Sequence, residues 1–305
     1  MKLRTVLTSL ILFALPHSMH AAAVSPAMID LEGARGEAVT STFAVINTQA
    51  TDQTYYLDTL SFQAKDESGE PKFLTEDTTN NLSQWVSFPV EHIVVPAKSK
   101  VDVPFSVQIP ADVSSGSYQT AITVSSAPAE VVATNGAIIE AKTATLVFLL
   151  IKGETTKKVA LLDFVSGGKW IQSDLHQTFT YRMQNQGNVY AIPTGKIVLK
   201  DVFGRQLKIV DANETKQRVL PATTRSFQTT DQKPIGFLDV LRDQANYFSI
   251  GPVTAILSVN FGDGFDSIQE TAQFWYVPYP LILTVLLFVG LMVIGYQILS
   301  KHKKT

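Results

Sequence analysis

The 305-residue chain contains no cysteine, and only 17% of its residues are charged. The absence of cysteine excludes a disulfide scaffold, an iron–sulfur centre, a cysteine-ligated zinc site and a cysteine nucleophile. Cations are also few, because 25 Lys and Arg stand against 27 Asp and Glu, so no basic face is available for nucleic acid. Hydrophobic residues make up 45% of the chain, which argues against disorder. The composition predicts a folded protein without a nucleic-acid partner.

Motifs typical of enzymes are missing as well. The sequence has no Gly-x-Ser-x-Gly elbow, no P-loop and no Gly-x-Gly-x-x-Gly. Between the two apolar ends of the chain the only histidines are His92 and His176, whereas a metal site needs about three to four ligands. Asp263 and Asp266 flank a glycine and predict a hairpin turn rather than a calcium loop. We therefore predict no catalytic residues, no metal site and no cofactor, and only a Ser/His/Asp arrangement is left open.

The first 23 residues have the composition of a secretory signal peptide. Lys2 and Arg4 form a positive start, residues 6–15 are mostly apolar, and residues 21–23 supply small side chains for cleavage. The apolar run is too short to span a bilayer. We predict export, with Val24 as the first residue of the mature chain.

A second apolar segment, at 279–300, predicts one transmembrane helix. The 19 residues from Leu281 to Leu299 are long enough to cross a hydrocarbon core of about 30 Å. Aromatic residues precede this run and cations follow it, which is the pattern of residues that anchor a helix at the two membrane surfaces. The predicted anchors are Trp275, Tyr276, Tyr279, Lys301, Lys303 and Lys304.

The cations after this helix also predict its orientation. An excess of Lys on one side favours the cytoplasm, so residues 301–305 form a cytoplasmic basic tail and the N-terminal part lies outside. The expectation is a single-pass protein of the cell membrane that contacts lipid through its C-terminal helix.

Short runs rich in β-branched and aromatic residues fill the exported region. Residues 42–46, 101–109 and 117–124 alternate between apolar and polar, and residues 144–151 are almost wholly apolar. Pro104 inside the second run predicts an edge position or a bulge. Many short strands bounded by turn residues predict an all-β fold of immunoglobulin-like β-sandwiches.

Three motifs occur twice along this region. A strand that ends in Asn, an apolar-Pro turn and a Gly-led strand recur at spacings of 138, 125 and 135 residues. The repetition predicts two tandem immunoglobulin-like β-sandwiches, at 24–152 and 159–276, joined by a linker at 153–158.

The second predicted sandwich has an insertion at 235–249 without a counterpart in the first. Its apolar residues at helical spacing predict a short helix with one apolar face. That helix either caps one end of its own sandwich or rests on the bilayer interface or on a partner. The candidate binding residues are Phe237, Leu238, Leu241, Tyr247 and Phe248.

Turn and strand-end motifs follow one another in a recognisable order over residues 24–150. They are Ser25-Pro26, Gly36 before the strand that ends at Asn47, Phe62 before the Gly69 turn, Leu82 with Trp85-Val86, Val95-Pro96, Ile109-Pro110-Ala111-Asp112 and Gly116-Ser117-Tyr118. Together they resemble the N-terminal domain of WxL-interacting proteins of bacterial cell surfaces. The resemblance implies a peptidoglycan-associated first domain, a second domain that binds a partner or host surface protein, and no catalytic motif.

These observations lead us to expect a non-enzymatic, membrane-anchored adhesion, binding or scaffold protein of the bacterial cell surface. Its partner would be cell-wall polymer or another surface protein. The first alternative is an immunoglobulin-like chaperone or assembly factor that binds exported proteins through an unpaired edge strand. The second alternative is a surface enzyme. The oligomeric state does not follow from the sequence.

Overall fold

The computed structural model describes residues 22–74, 82–126 and 142–302. Residues 1–21 of the predicted signal peptide and two predicted anchors, Lys303 and Lys304, lie outside these residues. The last two residues of that peptide are described: Ala22 is buried and Ala23 begins a strand, so the fold includes residues that the sequence assigns to the signal peptide. Within them the chain is mainly β-strand, arranged in immunoglobulin-like sandwiches and followed by one long C-terminal helix.

The first sandwich, called the first sheet pair here, contains strands β1 to β11 and helix α1. Their bounds are β1 Ala23–Ser25, β2 Met28–Gly33, β3 Ala38–Ile46, β4 Gln53–Leu60, β5 Phe62–Ala64, β6 Pro71–Phe73, α1 Leu82–Trp85, β7 Val86–Ser87, β8 His92–Val95, β9 Lys100–Gln108, β10 Gly116–Ser125 and β11 Thr143–Ile151. One sheet has the order β1-β3-β9-β7 and the other β2-β11-β10-β4-β8, while β5 and β6 form a hairpin.

Alternation along the strands builds the core between these two sheets. In β9, Val103, Phe105 and Val107 are buried, and Pro104 between them is exposed. β7 pairs with β9 only at Ser106 and Val107, so the missing N–H of Pro104 falls on an uncovered stretch of the strand. The predicted edge position of Pro104 agrees with this geometry.

The second sandwich, called the second sheet pair, contains strands β12 to β19 and helix α2. Their bounds are β12 Val159–Ser166, β13 Ile171–Gln172, β14 Thr178–Asn185, β15 Thr194–Lys200, β16 Gln206–Asp211, β17 Thr224–Thr230, α2 Phe237–Asn246, β18 Gly251–Asn260 and β19 Ile268–Tyr276. A three-stranded sheet, β12-β14-β17, packs on a five-stranded sheet, β13-β19-β18-β15-β16.

A buried asparagine stabilises each sheet pair at the same place, where a strand ends. The Asn47 amide donates hydrogen bonds to the carbonyls of Thr51 and Val95, at 2.8 and 3.0 Å. The Asn185 amide donates to the carbonyls of Val189 and Val219, at 2.7 and 3.0 Å. The second carbonyl in each case precedes the apolar-Pro turn, so two of the motifs that recur in the sequence meet in space in both sheet pairs.

The two sheet pairs share a small core at their junction. Phe62, Ala121 and Phe148 of the first pair are buried together, and Tyr190 and Leu220 of the second pack against them. Because this shared core joins the pairs, the division of the chain into two domains at 152 and 159 stays a prediction.

Ionic contacts add to this junction. The Arg218 guanidinium donates to both carboxylate oxygens of Asp30 in β2. Its Cζ atom also lies 4.2 Å from the ring centroid of Phe148 and 4.8 Å from that of Tyr190. Arg182 forms a second bridge, to Glu67.

Helix α3 follows β19 after a two-residue gap and runs over Tyr279–His302. Its 24 residues rise about 36 Å at ~1.5 Å per residue. Among the described residues it is the one helix long and apolar enough to cross a membrane, judged by length and composition.

The sequence from Leu82 to Phe88 alternates and favours a strand with Trp85 in it, but Trp85 ends helix α1. Its ring packs against the first core and lies 5.1 Å from the ring of Tyr118. A single turn of helix is too short to produce a helical period in the sequence.

Candidate interaction surfaces

The two histidines of the predicted exported region, His92 and His176, occupy different environments. His92 is exposed in edge strand β8, with its ring 5.8 Å from that of Tyr56. His176 is buried, with Asp231 3.8 Å from Nε2 and Asp243 3.6 Å from Nδ1. No group of three ligating side chains that could hold a metal ion occurs within the part of the chain that the structure describes.

The cluster around His176 attaches helix α2 to the second sheet pair. Asp243 belongs to α2, whereas Asp231 follows β17 and pairs with Lys208 of β16. Gln244, also in α2, is buried and donates a hydrogen bond of 2.7 Å to the Ser173 carbonyl. These contacts explain why a helix of ten residues is held in place.

The predicted binding residues of the insertion fall into two groups. Tyr247 packs against the second core, and its ring lies 5.8 Å from the ammonium of Lys208. Leu241 is half-buried, so these two side chains support the position of α2. The exposed members of the set are Phe237, Leu238 and Phe248.

The predicted anchors are also separated by the structure. Trp275 and Tyr279 are exposed at the start of α3, and Lys301 is exposed at its other end. Tyr276 instead lies in the second core with 1% of its surface exposed, and this burial raises the pKa of its hydroxyl. Strand alternation in β19 points Tyr276 inward and Trp275 outward, so Tyr276 does not form part of the exposed aromatic group.

Exposed apolar side chains gather near the start of α3, and they include the predicted residues Phe237, Leu238 and Trp275 together with others that the sequence patterns do not predict. Phe203 is 91% exposed and Leu238 of α2 is 76% exposed. We call this group the apolar rim; its members are Trp170, Ile171, Val202, Phe203, Ile235, Phe237, Leu238 and Trp275. An apolar pair inside a polar turn, as at residues 201–205, is the sequence signal that would have revealed Val202 and Phe203.

Strand pairing places the loop with Ile171, the turn at 201–205 and Trp275 at one end of the second sheet pair, and hydrogen bonds join α2 to the same end. Tyr276, the last residue before the gap to α3, pairs with Gly251 at the start of β18. Ile171 pairs with Trp275, and the end of β15 pairs with β18 at Thr254, so the turn at 201–205 leaves from the same end. The Arg205 guanidinium then joins this turn to the Phe248 carbonyl, directly after α2.

A groove opens on one side of the second sheet pair, between edge strands β16 and β17. Ala212 donates to the Gly195 carbonyl, so by antiparallel alternation the backbone groups of Ile209 and Asp211 point away from β15. Just before β17, the Thr223 carbonyl accepts a hydrogen bond from Asn185 N–H, so Thr223 faces β14. By the same alternation, the backbone groups of Gln228 point away from β14. No strand of the described chain pairs with either side, but the outward N–H of Ser226 in β17 donates to the Glu67 carbonyl of the first sheet pair at 2.7 Å, so the free part of that edge is at Gln228.

The groove is a polar cavity of about 410 Å³. Asp211, Glu214 and Asp231 line it together with one cation, Lys208, which pairs with Asp231. Thr229 also lines it; the residue is 8% exposed, and its buried hydroxyl has no hydrogen-bond partner. The cavity thus combines two unpaired backbone edges, an excess of negative charge and an unsatisfied polar group.

No protein-family model and no curated protein matches the chain. Solved structures to which it is similar include the class 5 fimbriae chaperone CfaA, at 11% identity, with 82% of this chain and 98% of that one covered and a TM-score of 0.41. They also include the Pseudomonas aeruginosa CupB2 chaperone, at 12% identity, 82% and 98% coverage and a TM-score of 0.35. The E. coli chaperone DraB has 11% identity, 84% and 97% coverage and a TM-score of 0.34. Sequence identities and TM-scores this low support no conclusion about function. The resemblance to WxL-interacting proteins stays a prediction.

Proposed function

We propose that the chain is a membrane-anchored, non-enzymatic binding protein that holds an extended segment of an exported partner protein. In this proposal α3 crosses the cell membrane with its basic end in the cytoplasm, and two immunoglobulin-like domains stand outside. The segment binds in the groove between β16 and β17. The observation that carries the proposal is that both strand edges bordering this groove have free backbone groups, at Ile209 and Asp211 of β16 and at Gln228 of β17.

Unpaired edges favour a polypeptide over a polysaccharide as the ligand. The outward backbone groups of Ile209 and Asp211 on one side and of Gln228 on the other offer donors and acceptors at the spacing of a β-strand. An extended segment satisfies such groups by adding a strand to the edge. This geometry favours the assembly-factor alternative over binding of cell-wall polymer.

The lining of the groove defines the chemistry of the segment. After Lys208 has paired with Asp231, the carboxylates of Asp211 and Glu214 remain without a cation in the cavity. A segment with a Lys or Arg near these two residues would supply their counter-charge. Its backbone or a polar side chain would also satisfy the Thr229 hydroxyl.

Site-specific photocrosslinking in intact cells tests the proposal. A photoreactive amino acid replaces Gln228, which is exposed on the free edge of β17. The matched control position is Lys196, which is exposed on β15, a strand paired on both sides. We expect defined peptides of exported proteins to be captured at Gln228 and not at Lys196.

A backbone variant makes this test specific for strand addition. Ile209→Pro removes one outward N–H from β16 without removing a bond to β15, whereas Ile209→Thr keeps that N–H. We expect the proline variant to reduce capture about fivefold, the equivalent of ~1 kcal/mol for one hydrogen bond, and the threonine variant to have little effect. Capture that is equal in both variants, or capture of glycan alone, would overturn the proposal.

A further inference from the structure

We infer that the apolar rim lies in the headgroup region of the same bilayer that α3 crosses, so that the second sheet pair sits on the membrane surface. This inference rests on the membrane anchor of the proposed function and adds a second, larger contact with lipid. It assigns the insertion at 235–249 to the bilayer rather than to a protein partner.

The connection between the second sheet pair and α3 is short and hydrogen-bonded. Only two residues separate β19 from α3, and the first of them, Val277, donates a hydrogen bond of 2.8 Å to the Gln172 carbonyl. In the first turn of α3, Leu281 N–H donates to Oε1 of Gln244 in α2 at 2.9 Å. The start of α3 is therefore fixed against the end of the sandwich that carries the rim.

The rim consists of three separate segments at that end. They are the loop with Trp170 and Ile171, beside which Trp275 of β19 is paired, the turn with Val202 and Phe203, and the start of α2 with Ile235 two residues before it. A flat interface that meets the start of α3 reaches all three segments together. The exposed rings and aliphatic side chains are of the kinds that favour the boundary between headgroups and acyl chains.

The apolar rim lies next to the start of α3, and this position is the reason to choose lipid as its binding partner. A protein partner would have to contact the same surface while avoiding a bilayer that begins within a few residues of Trp275 and Tyr279. Apolar groups this exposed to water are unfavourable, and insertion into the interface removes them from water without any additional protein.

Fluorescence of single labelled cysteines tests the inference, and the absence of native cysteine makes each label unique. The full chain is reconstituted in vesicles of phosphatidylcholine and phosphatidylglycerol, with an environment-sensitive dye at Phe203→Cys or Leu238→Cys. Val289→Cys in α3 reports the anchor. Glu214→Cys, which is exposed and remote from the rim, is the control for a label in water. Lipids with a spin label near the headgroup act as quenchers.

The result that supports the inference is blue-shifted, lipid-quenched emission at positions 203 and 238, with quenching at least about threefold above position 214. If position 289 enters the bilayer and is blue-shifted while positions 203 and 238 behave like position 214, the rim inference fails and the anchor stands. If position 289 also behaves like position 214, the anchor itself fails. A blue shift at 203 and 238 without lipid quenching assigns the rim to a second copy of the chain and overturns the inference.

A matched pair of variants distinguishes insertion of the rim from nonspecific adsorption of the protein to the membrane. In both proteins the dye is attached at Ile235→Cys. The rim variant also carries Phe203→Ser and Leu238→Ser, which remove two exposed apolar groups from the rim. The control removes Val90 and Val94, two exposed apolar residues of the first sheet pair, by the same change to Ser. We expect lipid quenching at position 235 to fall by at least half in the rim variant and to stay unchanged in the control. Equal quenching in both variants would contradict the inference.

Discussion

The two sheet pairs share an internal design but differ at their surfaces. Both use a buried asparagine at the end of a strand to hold an apolar-Pro turn. Only the second pair carries the apolar rim, helix α2 and the groove between β16 and β17. The comparison indicates that the shared interior supports folding, whereas the proposed binding surfaces are features of the second pair without a counterpart among the described residues of the first.

The junction between the two sheet pairs contains an ion pair whose two members differ in burial. Arg218 reaches it from the second pair and is 8% exposed, while the carboxylate of its partner Asp30 is 54% exposed in β2. If the pair is broken, most of the loss in free energy therefore comes from Arg218, whose buried charge is left without a partner. We therefore expect this arginine to contribute more than the other ion pair of the junction to holding the two pairs together.

Loss of the two asparagines has the largest expected effect. Asn185→Ala removes two donated hydrogen bonds and one that its Oδ1 accepts from Gly187 at 2.9 Å. Asn47→Ala removes the equivalent three and a further donated bond of 3.2 Å to the Pro96 carbonyl. Unpaired buried carbonyls and N–H groups remain in each case. We expect each change to lower the free energy of unfolding of the full chain in detergent by about 2–4 kcal/mol.

Denaturant titration followed by circular dichroism measures this loss. Asn246→Ala, at an exposed position at the end of α2, is the matched control and is expected to change the free energy of unfolding by less than about 0.5 kcal/mol. A loss at Asn185 with none at Asn47 would show that the two motifs are alike in sequence but not in energetic role.

Replacement of Arg218 is expected to have an intermediate effect. Arg218→Met keeps an unbranched side chain over Phe148 and Tyr190 but removes the pair with Asp30 and the cation–π contacts. Because Asp30 remains partly hydrated, we expect a loss of about 2 kcal/mol rather than the larger value of a fully buried pair.

Hydrogen exchange shows where this loss occurs. We expect Arg218→Met to reduce the protection of amides on both sides of the junction, in β2 and around Tyr190. Arg182→Met breaks the more exposed bridge to Glu67 and serves as the control, with a smaller effect. Equal effects of the two variants would contradict the special role of the buried arginine.

Much of the fold could be predicted from the sequence, because its signals are local. Strand alternation, the Asn-ended strands and the apolar C-terminal run each depend on neighbouring residues. The all-β sandwich fold and the bounds of α3 within one or two residues followed from them.

The candidate site was only partly predictable, because it depends on contacts between distant residues. Periodicity predicted the helix α2, but its attachment through His176 and Gln244 joins residues 67 and 71 positions apart. Tyr276 was predicted at the surface because it follows Trp275 in an aromatic group, and only the register of β19 shows that it is buried. The groove requires knowledge of which strands lie at sheet edges, which no single segment contains.

The smallest expected effect is a dependence of stability on pH at the junction. The hydrogen bonds from the Arg218 guanidinium hold the pKa of Asp30 below its ordinary value near 3.8, against the opposing effect of partial burial. A carboxyl group whose pKa is lower in the folded state stabilises the fold above its unfolded pKa. That contribution is lost as the pH falls through the folded pKa.

The difference in unfolding free energy between the wild type and Asp30→Asn should therefore be constant from about pH 7 to 5 and shrink below about pH 4. In the Arg218→Met background the same comparison should show little difference at any of these pH values, because the guanidinium that lowers the pKa is gone. A difference that persists unchanged at acid pH in the wild-type background would mean that the carboxylate charge does not contribute to the junction.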